Sequence, residues 1–140
     1  MAVLYTASAT ATGEGRNGHS RSSDGMIDVD LATPVEMGGP GGATNPEQLF
    51  ATGYAACFLN ALILTARRAK VAIDDVAVTA DVSLIPNGSR GFDLAAALHV
   101  EMSGADQATA DDLVAKAHQV CPYSNATKGN MNVEIDTVVA

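Results

Sequence analysis

Residues 49–66 run without a charge, while the segments on either side alternate apolar and polar residues over short stretches. The run is too long for a strand and predicts a buried helix. Asn45-Pro46-Glu47-Gln48 marks its start: an asparagine N-cap, proline at the first helical position, an acid facing the positive end of the dipole, and a glutamine completing a capping-box-like arrangement. Arg67, Arg68 and Lys70 suit the opposite end, so the helix is expected to reach about Lys70, roughly 35 Å from its start.

Alternation predicts strands elsewhere. Val3, Tyr5, Thr6, Thr10 and Thr12 suggest one over residues 3–13, followed by a tight turn at Asn17-Gly18. A second turn at Asp24-Gly25 precedes Met26-Ile27-Asp28-Val29-Asp30-Leu31, giving a three-stranded meander. Glycines 38, 39, 41 and 42 around Pro40 predict an irregular loop. Residues 76–85 and 92–102 alternate on either side of Pro86-Asn87-Gly88-Ser89, a hairpin signal. Leu113, Val114, Ala117 and Val120 then share one face of a helix over 109–120, which Pro122 is expected to stop, and 131–139 alternates as a last strand. This order predicts an α+β fold in a single domain, residues 1–140.

Composition refines that picture. Hydrophobic residues make up 47% but aromatics only 4%, with no Trp, so the core has to be built from Ala, Val, Leu and Ile. A helix apolar nearly all round cannot be covered by one sheet, which points to a partner helix and a second subunit. Its length also raises the question of a membrane span. Five alanines, Gly53, Asn60 and two threonines, set among strand-patterned acidic flanks, favour a central helix of a soluble domain instead. The net charge of −8 disfavours nucleic acid and anionic lipid surfaces as partners. Residues 1–12 lack a basic segment followed by an apolar block, so a cytoplasmic location is expected, where two cysteines more readily serve chemistry than a permanent disulfide.

The candidates for chemistry are few. Cys57 lies inside the apolar run, a setting that by itself describes an inert thiol with a raised pKa. To act as a nucleophile it needs a cation, and Arg16 at the predicted turn is the best placed. Glu47 lies ten residues before Cys57, about 15 Å along a helix, so only a long side chain bridges them; the arginine fork has that reach and takes a carboxylate bidentately. Spacing alone equally allows Glu47 to serve the helix dipole and Arg16 to be an exposed turn residue. Cys121 reads as a helix-end core residue or as a tertiary partner of Cys57. His118-x-x-Cys121 has metal-ligand spacing, but with His19 and His99 the only other histidines and no Cys-x-x-Cys, a four-ligand zinc site would need distant partners and is disfavoured. The glycine loop lacks a following lysine and the phosphate-binding pattern.

Four blocks occur in order: Gly15-Arg16-Asn17-Gly18; Gly38-Gly39-Pro40-Gly41 with Asn45-Pro46-Glu47-Gln48-Leu49-Phe50; Tyr54-Ala55-Ala56-Cys57-Phe58; and Cys121-Pro122-Tyr123-Ser124-Asn125-Ala126-Thr127. Together they resemble the organic hydroperoxide resistance proteins of the Ohr/OsmC superfamily, thiol peroxidases of bacteria, over nearly the whole chain. Tyr123 after Cys121-Pro122 favours that branch over its osmotically induced sister. The resemblance implies antiparallel sheets wrapping two central helices in an intertwined homodimer. It implies Cys57 as peroxidatic and Cys121 as resolving cysteine, with Arg16 and Glu47 activating the thiolate and orienting the peroxide. It further implies an organic hydroperoxide substrate, no metal or organic cofactor, and dihydrolipoyl groups of lipoylated proteins as reductant. Two other classes fit the residues taken alone: a dimeric module binding an apolar ligand with inert cysteines, and a thiol-based redox sensor, which the acidic charge and lack of a DNA-binding element disfavour.

Overall fold

The computed structural model describes residues 1–140, which fall into two compact units, Met1–Leu49 and Phe50–Ala140. In the first unit, β1 (Ala9–Thr12), β2 (His19–Ser22) and β3 (Asp28–Asp30) form an antiparallel meander in the order β1-β2-β3. The predicted first strand is shortened: Ala9 already pairs with Ser22 at the end of β2, and residues 1–8 have no strand beside them. The expected tight turn is a wider device. A 3-10 turn, Gly15–Asn17, is entered through Gly13 at φ +79° and opens on Gly15 at φ +63°, and the Gly18 N–H closes it on the Gly15 carbonyl at 3.0 Å. Only glycine fits at position 18, because a Cβ there would lie 2.1 Å from the Thr12 carbonyl oxygen.

Helix α1 (Pro46–Arg68) starts as its sequence dictates, with Asn45 Oδ1 accepting the Gln48 N–H at 2.9 Å. The Gln48 Oε1 accepts the Thr44 hydroxyl at 2.8 Å, a variation on the expected capping box. The boundary between the units falls inside this helix. It ends at Arg68 rather than Lys70, since Lys70 takes a left-handed conformation, φ 58°.

The second unit carries β4 (Asp74–Pro86), β5 (Phe92–Ser103), α2 (Gln107–Val120), α3 (Pro122–Thr127) and β6 (Asn132–Val139). β4 and β5 form the predicted hairpin, whereas β6 lies parallel to β5, a departure from the expected antiparallel sheet. The cause is the connection: α2 and α3 carry the chain back along the sheet, and a crossover of that length permits parallel pairing. On β5, the central strand, Ala96, Leu98, Val100 and Met102 are buried. They join Tyr54, Phe58 and Leu62 of α1 and Leu113, Val114 and Ala117 of α2 in one core. Asp106 caps α2, accepting the Thr109 N–H at 2.8 Å.

Helix α2 ends at Val120, before Pro122, as expected, but a second helix follows at once. Cys121 is at once the C-cap of α2 and the N-cap of α3, and Pro122 occupies the first position of the new helix. Proline is tolerated there because its missing N–H would have had no partner.

Candidate active site

In the first unit the 3-10 turn presents Arg16 to the first turn of α1. Its Nη1 donates to Glu47 Oε2 at 2.8 Å and its Nη2 to Glu47 Oε1 at 2.6 Å, a two-bond fork. The turn is itself tied down: Asn17 Nδ2 donates to Thr33 Oγ1 at 3.1 Å, and the Thr33 N–H returns a bond to Asn17 Oδ1 at 2.9 Å. The Glu47 hydrogen bonds hold the Arg16 guanidinium above its ordinary pKa, and in return Arg16 holds the Glu47 carboxyl below the usual range. Glu47 is 16% exposed and Arg16 35%, so the pair is braced on one side and open on the other.

The second unit brings the two cysteines together. Cys57 is partly buried on α1, Cys121 is fully buried, and both are free thiols. The Cys57 sulfur receives a hydrogen bond from the Tyr123 backbone N–H and lies in hydrogen-bonding contact with the Cys121 thiol. Burial pushes the Cys57 thiol above its ordinary pKa; the Tyr123 amide acts downward, and the neighbouring Cys121 thiol adds to the rise. None of the groups that shift it is a cation. The Tyr123 ring packs on α1 at a glycine, where a Cβ on Gly53 would lie 2.7 Å from the Tyr123 hydroxyl oxygen. The Tyr123 N–H is one of the donors that a helix start leaves unpaired, which suits it to a sulfur.

Pro122 and Tyr123, which follow Cys121, lead to an aromatic group and a cavity that neither cysteine lines. Phe50, Tyr54 and Tyr123 pack with ring centroids 5.7–6.2 Å apart. Phe50 and Tyr123 also line a cavity of about 610 Å³ with Phe92, Leu94, Pro122 and Met131, and with Asp93 and Asn130 at its polar points. Apolar walls with a few polar groups are the character of a site for a small organic molecule.

All four residues singled out from the sequence thus have partners: Arg16 with Glu47, Cys57 with Cys121. His118 Nδ1 hydrogen-bonds to Ser124 Oγ at 2.8 Å, and no group of three or more His, Cys, Asp or Glu side chains is arranged to hold an ion. Sequence reasoning did not foresee the Tyr123 amide at the Cys57 sulfur, nor the linking of Tyr54, Ser124 and His118 into one polar set. The signal for that set was present as spacing, since each lies three residues from a cysteine.

The model of the OsmC-like protein family matches residues 39–136. The organic hydroperoxide resistance protein of Xanthomonas axonopodis pv. citri is 50% identical over 137 residues, which cover 95% of this chain and 94% of that protein. OhrA of Bacillus subtilis is 45% identical over 139 residues, with 95% of each covered. A crystal structure of an organic hydroperoxide resistance protein from Legionella pneumophila superposes with a TM-score of 0.95 at 52% identity, over 99% of this chain and 100% of that one. That of OhrB from Bacillus subtilis does so with a TM-score of 0.87 at 42% identity, over 97% and 100%.

Proposed function

Since the chain belongs to the OsmC-like family, in its organic hydroperoxide resistance group, we propose that it is a thiol peroxidase that reduces alkyl or lipid hydroperoxides to alcohols. The observation that carries the reading is the contact of the two thiols, with Cys57 the more accessible and Cys121 sealed behind it. The Cys57 thiolate attacks the terminal peroxide oxygen, the O–O bond breaks, and the alkoxide takes a proton and departs as alcohol. Cys57 is left as a sulfenic acid. Cys121 then attacks the Cys57 sulfur, the hydroxyl leaves with the Cys121 proton as water, and a disulfide joins the two.

A thiol raised by burial needs help to ionise, and the Tyr123 amide alone does not supply a charge. In this reading Arg16 approaches the sulfur while Glu47 holds the rest of its fork; the guanidinium stabilises the thiolate and then the charge on the departing oxygen. The cavity's aromatic and aliphatic walls favour an organic tail over hydrogen peroxide, which gains little from an apolar site. Reduction of the disulfide falls to dihydrolipoyl groups of lipoylated proteins, with no metal or organic cofactor in the chain. The working form is a cytoplasmic homodimer: of the most apolar stretch of α1 only 33% is buried within the chain, and Ile63 is 39% exposed.

Single-turnover mixing of the reduced protein with cumene hydroperoxide and with hydrogen peroxide tests this. We expect the organic peroxide to react faster by about ten-fold or more, and Cys57→Ser to consume neither. Equal rates for the two would remove the cavity from substrate choice, and an active Cys57→Ser would remove the mechanism.

A further inference from the structure

Three polar side chains sit within one helical turn of the cysteines and take no part in the chemistry just described. Tyr54 precedes Cys57 by three residues on α1, His118 precedes Cys121 by three on α2, and Ser124 follows Cys121 by three in α3. They form a continuous chain: the Tyr54 and Ser124 hydroxyls share a hydrogen bond of 2.8 Å, and Ser124 Oγ lies 2.8 Å from His118 Nδ1. Tyr54 is wholly buried and Ser124 is 1% exposed; His118 is half-buried, its ring 6.4 Å from that of Phe58. A hydroxyl has one hydrogen and two lone pairs, so Ser124 satisfies both neighbours at once, and the chain runs in either direction according to the imidazole tautomer.

We infer that Tyr54, Ser124 and His118 are positioning residues for disulfide formation, fixing the first turn of α3 so that Cys121 meets the oxidised sulfur of Cys57. The inference rests on the peroxidase reading above. Helix α3 has six residues, too few to persist on its own hydrogen bonds. Its start bears two groups that act on Cys57, the Cys121 thiol and the Tyr123 N–H, yet Cys121 makes no side-chain cap bond that would anchor it. Ser124 supplies the anchor, to α1 through Tyr54 and to α2 through His118. The sulfurs have to move from hydrogen-bonding contact to a bonded separation, so a small loss of order in this turn acts directly on the resolving step. That step competes with a second peroxide, which oxidises the sulfenic acid to sulfinic acid. The competition makes positioning measurable.

The test treats reduced full-length protein with cumene hydroperoxide, one equivalent and then an excess, and reads by mass the ratio of 57–121 disulfide to Cys57 sulfinic acid, alongside the rate of peroxide loss. Ser124→Ala, Tyr54→Phe and His118→Leu are expected to raise the sulfinic fraction relative to disulfide by about ten-fold or more, with peroxide loss changed far less. His118→Asn keeps a nitrogen near the Nδ1 position and is expected to restore the wild-type ratio. Tyr54→Phe keeps the ring in the core and gives the reading should Ser124→Ala not fold. An unchanged ratio, even with a lowered melting temperature, overturns the inference. Absence of the bridge from the wild-type protein overturns the peroxidase reading itself, a separate outcome.

Discussion

At the scale of single residues the site is built on opposed influences. Burial raises the Cys57 thiol, the Tyr123 amide acts the other way, and in the proposed mechanism the charge that ionises it comes from Arg16. That division predicts a pH profile. Because the thiol is raised, its thiolate fraction grows about ten-fold per pH unit throughout the neutral range when no cation assists. Arg16→Ala is therefore expected to react slowly at neutral pH and to gain about ten-fold per unit as pH rises, while the wild-type rate levels off at lower pH; parallel profiles would show that Arg16 does not ionise the thiol. Arg16→Lys keeps the charge but loses the fork on Glu47, so its rate should fall between the two.

At the scale of elements each sheet holds a histidine on its central strand, clasped by two aspartates. His19 on β2 binds Asp30 at 2.8 Å and Asp28 at 2.5 Å; His99 on β5 binds Asp81 of β4 at 2.8 Å and Asp136 of β6 at 2.6 Å. These carboxylates raise both histidines, Asp30 and then Asp28 acting on His19, Asp81 and then Asp136 on His99. A histidine raised in the folded state stabilises fully below its unfolded pKa, about 6.5, and that contribution is lost as pH rises through the folded value. The urea midpoint of wild type should thus fall from about pH 6 to about pH 9 more steeply than that of His99→Gln; identical slopes would contradict a charged clasp. The elements themselves were largely legible. The N-cap at Asn45, the hairpin residues from Pro86 to Ser89 and the face of α2 follow from local chemistry. The restart at Pro122 was not, because a proline serves equally after a helix and at the first position of the next. Nor was the parallel β6, since alternation reveals a strand but not its direction.

For the whole molecule, the apolar run of α1 pointed to a second subunit, and its exposed residues still do. Sedimentation at micromolar concentration is expected to give a dimer, and a charge at Ile63, as in Ile63→Glu, to weaken it; a monomeric wild type would contradict that expectation. The site was legible in a different way. Spacing alone left Cys57 an inert thiol and Arg16 a surface residue, and only the four motif blocks in order tied them together. The fork of Arg16 on Glu47 and the meeting of the thiols are tertiary facts, set by a turn closing on Gly18 and a helix restarting at Cys121, which no local pattern encodes.

The central claim is that Cys57 is oxidised first and Cys121 second. Single-turnover reaction of reduced protein with one equivalent of cumene hydroperoxide, followed by mass mapping of wild type and Cys121→Ser, tests it most directly. The account predicts a 57–121 disulfide in wild type and a trappable sulfenic acid at Cys57 in Cys121→Ser, formed at a similar rate. Oxidation appearing first at Cys121, or no bridge between the two cysteines, would contradict it.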